Sequence, residues 1–97
     1  MRERYCAVYI MANKRNGTLY TGVTSNLIHR INQHKTSQLD SFTKRYNCKI
    51  LVYFEPHSEI VTAIEREKQI KKGSRKKKLI LIESMNPKWI DLSDSLF

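Results

Sequence analysis

Tyr9 and Tyr20 stand in the frames Ala7-Val8-Tyr9 and Tyr20-Thr21-Gly22, followed by Arg30 and His34 four residues apart and, much later, by Glu67 among apolar residues. Together they are two phenols, a guanidinium, an imidazole and a carboxylate in a very basic chain. That set suits the cutting of a phosphodiester. A carboxylate among apolar residues can hold a hard divalent cation.

Position on a helix separates these residues from ordinary surface charge. Thr24-Ser25-Asn26 offers N-cap oxygens ahead of Leu27–Lys35, which reads as a helix. Leu27, Ile28 and Ile31 define its apolar face, and Arg30 and His34, three and seven residues after Leu27, continue that stripe. A charge on a core-facing stripe is costly unless it is paired or opens on a cleft. The alternative is that Arg30 snorkels to the edge of the sheet. A second helix is expected from a Ser58 cap to Lys72, with Ile60, Ala63, Ile64 and Ile70 inward. Glu67 falls three residues after Ile64 and four after Ala63, so it faces inward, whereas Glu65 is a solvated helix charge. An inward carboxylate needs a cation. Either a divalent ion or a salt bridge from Arg30 or Lys71 would supply it.

The tyrosines belong to a predicted hairpin. Tyr5–Ala12 and Thr18–Val23 alternate as strands around the turn Asn13-Lys14-Arg15-Asn16-Gly17. Both phenols can reach one surface if the register permits, although two tyrosines in a hairpin are also ordinary packing residues. Gly22, between strand end and helix start, would allow a ligand's phosphate to approach the backbone. Thr36–Ser41 reads as a polar loop, and Phe42–Tyr46 as a short helical turn or a loop packing its aromatics. The continuous apolar run Lys49–Glu55 predicts a third strand, buried and central. Gly73 ends the second helix as a C′ glycine, Ser74 caps a third through about Ser84, and Asn86-Pro87 stops it before Lys88-Trp89-Ile90-Asp91-Leu92 tucks back. The order is β-β-α-β-α-α, a small three-stranded sheet flanked by helices in an α+β (layered α/β) fold, with residues 1–97 read as one domain.

Charge indicates the partner. Eighteen Lys and Arg against nine Asp and Glu give +9, an excess that concentrates polyanions, and nucleic acid above all. Lys71, Lys72, Arg75, Lys76, Lys77 and Lys78 crowd the densest stretch and are read as phosphate contacts; a solvated basic face is the alternative. At this length a chain buries roughly 60–65% of its unfolded surface, enough for one modest core. No apolar run is long enough to predict a membrane span or secretory signal, so no membrane partner is expected. Cys6 and Cys48 lack C-x-x-C spacing and predict free thiols in a reducing, cytoplasmic compartment, and His29, His34 and His57 are too scattered for a zinc site.

In this order the residues resemble the GIY-YIG nuclease family, in particular its small bacterial stand-alone members. Ala7-Val8-Tyr9 occupies the first motif, with Ala and Val for Gly and Ile, and Tyr20-Thr21-Gly22 the second, with Thr for Ile. Arg30 and His34 match the family's basic pair, Glu67 its metal carboxylate, and Asn86 resembles an asparagine near its end, a secondary site. Phe42–Tyr46, Ala63–Lys71 and Asn86–Trp89 extend the likeness over nearly the whole chain. The resemblance implies phosphodiester hydrolysis with one Mg²⁺ or Mn²⁺ held by Glu67, Arg30 on the phosphoryl oxygens, and Tyr9 before Tyr20 as the proton acceptor. His34 would hold a phenol in place or share its proton.

The expectation is therefore a metal-dependent endonuclease acting on DNA, with RNA open, directed by substrate structure (damaged, branched or single-stranded DNA, as in repair) and working as a monomer or weak dimer. The alternative is a basic nucleic-acid-binding module without catalysis, which needs none of Tyr9, Tyr20 or Glu67.

Overall fold

A computed structural model describes residues 5–36 and 45–96. Three strands, β1 (Cys6–Ala12), β2 (Leu19–Thr24) and β3 (Ile50–His57), combine with three helices, α1 (Leu27–Lys35), α2 (Ile60–Lys72) and α3 (Arg75–Met85), and a closing 3-10 turn, Leu92–Ser95. The fold is α+β, with a sheet in the order β2-β1-β3 that is antiparallel throughout.

The central strand is β1, in which Ala7 through Ala12 are all fully buried. Its alternation feeds two cores. Ala7, Tyr9 and Met11 meet Leu27 and Ile31 of α1, with Leu51 and Leu96, on one face. Val8, Ile10 and Ala12 meet Ala63 and Ile70 of α2, Ile82 of α3 and Trp89 on the other. The expectation of a central β3 is thus corrected: it lies at an edge. Helices cover both of its faces, so it is as apolar as a central strand. Pro56 marks the difference, because it has no N–H to give a further ladder. A bulge inserts Val52 between the pairs Ile10–Tyr53 and Met11–Leu51, turning Val52 and Tyr53 both into the α2–α3 core.

Local chemistry explains most boundaries. In the β1–β2 turn Asn16 takes φ 57°, while the Asn13 side chain accepts from the Thr18 N–H at 2.9 Å. Gly17 has an ordinary φ but is required sterically, since a Cβ there would lie 2.0 Å from Asn13 Oδ1. Asn26 caps α1 by accepting from the His29 N–H, and Ser74 caps α3 by accepting from Lys77.

Other expectations shift. α2 begins at Ile60 with Glu59, not Ser58, at the cap position and no side-chain cap bond, because β3 continues through His57. Gly73 ends α2 with φ −70°, outside the left-handed region, its N–H donating to the Gln69 and Ile70 carbonyls. Residues 42–44 of the Phe42–Tyr46 stretch and residues 37–41 of the polar loop lie outside the described residues; Arg45 and Tyr46 form a helical turn. Cys6 and Cys48 are free thiols, and burial pushes the Cys48 thiol up.

The inward line of α2 is Ala63, Glu67 and Ile70, whereas Ile60 and Ile64 are more than a third exposed, against expectation. An ion pair helps hold the helix this way. Arg66 Nε donates to both oxygens of Glu55 on β3, at 3.0 and 3.2 Å, and draws the Arg66 side of α2 toward the sheet. Glu55 also accepts from Tyr53 Oη at 2.6 Å and lies 2.8 Å from His57 Nε2. Burial alone would raise the Glu55 carboxyl, but the hydrogen bonds from Tyr53, Arg66 and His57 hold it below the ordinary carboxylate range. Tyr53, buried and bonded to that carboxylate, is pushed up to about 12.

The sign of the linkage follows. A carboxyl held low in the folded state stabilises the fold above its unfolded value, 4.5, and this contribution is lost as pH falls through the lower folded value. Urea denaturation of Glu55→Gln at pH 7 should show a loss of about 1–2 kcal/mol. The wild type should lose that margin over the variant on acidification below about pH 4.5.

Candidate active site

Register places the phenols. Tyr9 pairs with Gly22 and Met11 with Tyr20, so both tyrosines project to the α1 face. Their ring centroids are 6.3 Å apart and tilted by 49°. His34 closes the triangle, 5.4 Å from the Tyr9 ring in an edge arrangement and 5.3 Å from the Tyr20 ring. Tyr9 Oη and His34 Nε2 are hydrogen-bonded at 3.0 Å, and both residues are essentially buried. α1 brings the imidazole here because Leu27 and Ile31 anchor its inward face and His34 continues the line. Arg30, one turn before His34, is half-buried, and its side chain makes no hydrogen bond or ion pair among the described residues.

Gly22 has a role that differs from the expected phosphate approach. The Tyr9 phenol itself lies over it: a Cβ at residue 22 would meet Tyr9 Oη at 2.5 Å and Cζ at 2.6 Å. The room left by the glycine is occupied by the tyrosine. This brings the Tyr9 hydroxyl beside β2, the edge strand of the sheet.

Glu67 reaches the same edge from the other face. It is 8% exposed, and its Oε2 forms an ion pair with Lys71 Nζ at 2.6 Å. Of the two partners weighed in the sequence, Lys71 is therefore the one found and Arg30 is not. Lys71 lines a groove of about 380 Å³ with Leu19, Tyr20, Thr21 and Lys78. This groove shares Leu19 and Lys78 with a second one that continues past Lys14, Thr18 and Arg75 to the hairpin turn. Tyr20 and the cation on Glu67 thus face a common basic channel.

Glu67 is the carboxylate that could hold a hard cation here. Glu67 Oε2 already binds a cationic side chain, and Oε1 has no protein partner among the described residues. No cluster of three or more His, Cys, Asp or Glu occurs among the described residues. An ion would have one carboxylate and otherwise water and phosphate oxygens, the usual ligand set of Mg²⁺ in phosphoryl chemistry.

The basic stretch divides. Arg75 Nη2 donates to the Asn16 and Gly17 carbonyls at 2.8 and 2.7 Å, fastening the hairpin turn to the start of α3. Lys71, Arg75 and Lys78 line the channel, Lys77 lines a separate cleft beside Ile80, and Lys72 and Lys76 are exposed. Asn86 does not join the site. It caps the C-terminus of α3, donates to the Val52 and Ile90 carbonyls and accepts from the Ile90 N–H, fastening the tail to β3 on the far side of the sheet from β2. Lys14 was missed in the sequence, although its place in a turn with two cations was a usable signal.

Residues 5–79 match the model of the GIY-YIG catalytic domain, and the chain belongs to that nuclease family, whose substrate is nucleic acid. It is 42% identical over 76 residues to a UPF0213 protein of Staphylococcus haemolyticus, covering 78% of this chain and 92% of the relative. A UPF0213 protein of Syntrophus aciditrophicus is 39% identical over 88 residues, covering 90% and 97% respectively. The solution NMR structure of a Bacillus halodurans UPF0213 protein superposes with a TM-score of 0.55 at 26% identity, over 87% of this chain and 88% of that one. Among the described residues no helix is long and apolar enough to cross a membrane.

Gly22→Ala tests the packing directly. The added methyl must displace the Tyr9 ring, so chemical denaturation should show a loss of about 1–3 kcal/mol, and the His34 ring resonances should move as the bond to Tyr9 breaks.

Proposed function

We propose that the protein is a divalent-metal-dependent endonuclease that hydrolyses DNA phosphodiesters and is directed by the structure of the substrate. The observation that carries this reading is the 3.0 Å bond between Tyr9 Oη and His34 Nε2, beside the strand edge where a basic channel opens. A phenol alone is a poor proton acceptor at neutral pH. A phenol whose own proton can pass to an adjacent imidazole is a better one.

In the proposed reaction a water admitted from the channel to the Tyr9 hydroxyl, which is sealed from solvent in the free protein, gives its proton to Tyr9 while the phenolic proton moves toward His34 Nε2. The water oxygen attacks phosphorus and the bond to the leaving oxygen breaks. Arg30 neutralises charge gathering on the phosphoryl oxygens, and Tyr20, on the channel wall, positions the scissile phosphate. Glu67 would hold Mg²⁺ or Mn²⁺, which supplies Lewis-acid stabilisation of the phosphoryl and leaving oxygens when bound.

The channel supports the substrate assignment. Its cations are Lys14, Lys71, Arg75 and Lys78, which contact phosphates without reading bases. The first turn of α3 carries Arg75, Lys76, Lys77 and Lys78 and no acid, at the end of a helix that is already positive. A polyanion relieves that repulsion.

The test is nicking of duplex, branched, gapped and single-stranded DNA, and RNA of matched structure, with Mg²⁺ or Mn²⁺. Cleavage should fall by about 10²-fold or more in Tyr9→Phe, Arg30→Ala and Glu67→Gln, with the fold retained by circular dichroism. Salt-sensitive DNA binding with no cutting of any substrate by either metal would instead establish a non-catalytic binding module.

A further inference from the structure

Lys71 has two environments at once. Its ammonium lies 2.6 Å from Glu67 Oε2, and its side chain forms part of the channel wall beside Tyr20. Resting on the reading of Glu67 as the metal ligand, we propose that Lys71 is an exchangeable cation: it neutralises Glu67 until a divalent ion arrives and then turns into the channel to hold a substrate phosphate.

Burial on the two sides of the pair argues for exchange. The Glu67 side chain is 11% exposed and the Lys71 side chain 55%. A carboxylate with so little access to water needs a cation, so it remains neutralised in the absence of metal. The ammonium, in contrast, is a hydrated point charge on a flexible stem and can leave without being stripped of water. An i,i+4 pair whose lysine is more than half exposed is weak enough for a divalent ion to compete. An arginine would fork across both oxygens, whereas this lysine engages only Oε2.

The channel also dictates where Lys71 goes. Lys78 Nζ donates to the Lys71 carbonyl at 3.4 Å, and both side chains line the same groove. A divalent ion on Glu67 would repel an ammonium left beside it, and Lys78 adds a second positive charge nearby. The new partner must therefore be an anion, and the substrate phosphate is the one this channel receives. Metal and phosphate binding become coupled: each favours the state in which Lys71 has left Glu67, so each strengthens the other.

The experiment measures Mn²⁺ binding to DNA-free full-length protein by electron paramagnetic resonance, in wild type, Lys71→Met and Glu67→Gln. DNA affinity is then measured across salt concentrations in EDTA and in Ca²⁺. Lys71→Met should bind Mn²⁺ roughly threefold to tenfold more tightly than wild type, because the competitor is gone. In EDTA the two should share one salt slope; in Ca²⁺ the wild-type slope should be steeper than that of Lys71→Met by about one phosphate contact. The exchange is overturned if Lys71→Met binds Mn²⁺ no better than wild type, or if the slopes agree in both conditions, while Glu67→Gln still abolishes Mn²⁺ binding; the assignment of Glu67 then stands. If Glu67→Gln binds Mn²⁺ as wild type does, the metal assignment itself fails, and the exchange with it.

Discussion

One absent side chain organises the strand edge. Because residue 22 is glycine, the Tyr9 phenol can cross β2 and meet His34. Every other feature of that cluster is a condition for this contact. The antiparallel register sets Tyr9 opposite Gly22, and the Asn13–Asn16 turn maintains that register. A slip of one residue would send Tyr9 to the face now held by Val8 and Ile10. On α1, the Asn26 cap sets the start and Leu27 and Ile31 set the roll, so His34 arrives where the phenol ends. The bond joins two buried polar groups from different elements, which rigidifies both and leaves little freedom for either ring.

A second contact helps place the carboxylate. α2 approaches the sheet from the face opposite α1, with Ala63 and Ile70 in the core. The Glu55–Arg66 pair adds to this by holding one side of the helix against β3. Glu67, the next residue, then faces inward, and Lys71 points to β2 and its groove. A structural ion pair at one edge of the sheet thereby helps set the position of the proposed metal ligand at the other. α2 has no side-chain cap and no acid in its first turn, and only Lys71 and Lys72 in its last turn complement the helix dipole.

The sequence was readable where periodicity and local chemistry coincide. The hairpin, both capped helices, α1 and α3, and the inward positions of His34 and Glu67 follow from alternation, cap residues and helical spacing. Strand order was not readable, because Ile50–Phe54 and Cys6–Ala12 are equally apolar when helices cover both faces. The exposure of Ile60 and Ile64 on α2 was hidden for a different reason: Arg66 and Glu55 look like surface charges until β3 and α2 are brought together. The role of Gly22 was half visible. A glycine at a strand end signals close approach, but whether a ligand or a neighbouring side chain makes that approach depends on the register. Asn86 shows the reverse problem. Its match to a family position suggested chemistry, while its three hydrogen bonds to β3 and the tail make it a structural fastener.

Charge placement links the two ends of the molecule. A net charge of +9 on 97 residues is self-repelling, and folding gathers part of it into one channel rather than dispersing it. Arg75 uses its guanidinium to bind the Asn16 and Gly17 carbonyls, so the same cation that faces the channel holds the hairpin turn against α3. The turn in turn holds the register that places Tyr9 over Gly22. One residue of the channel wall therefore also supports the geometry of the phenol–imidazole pair.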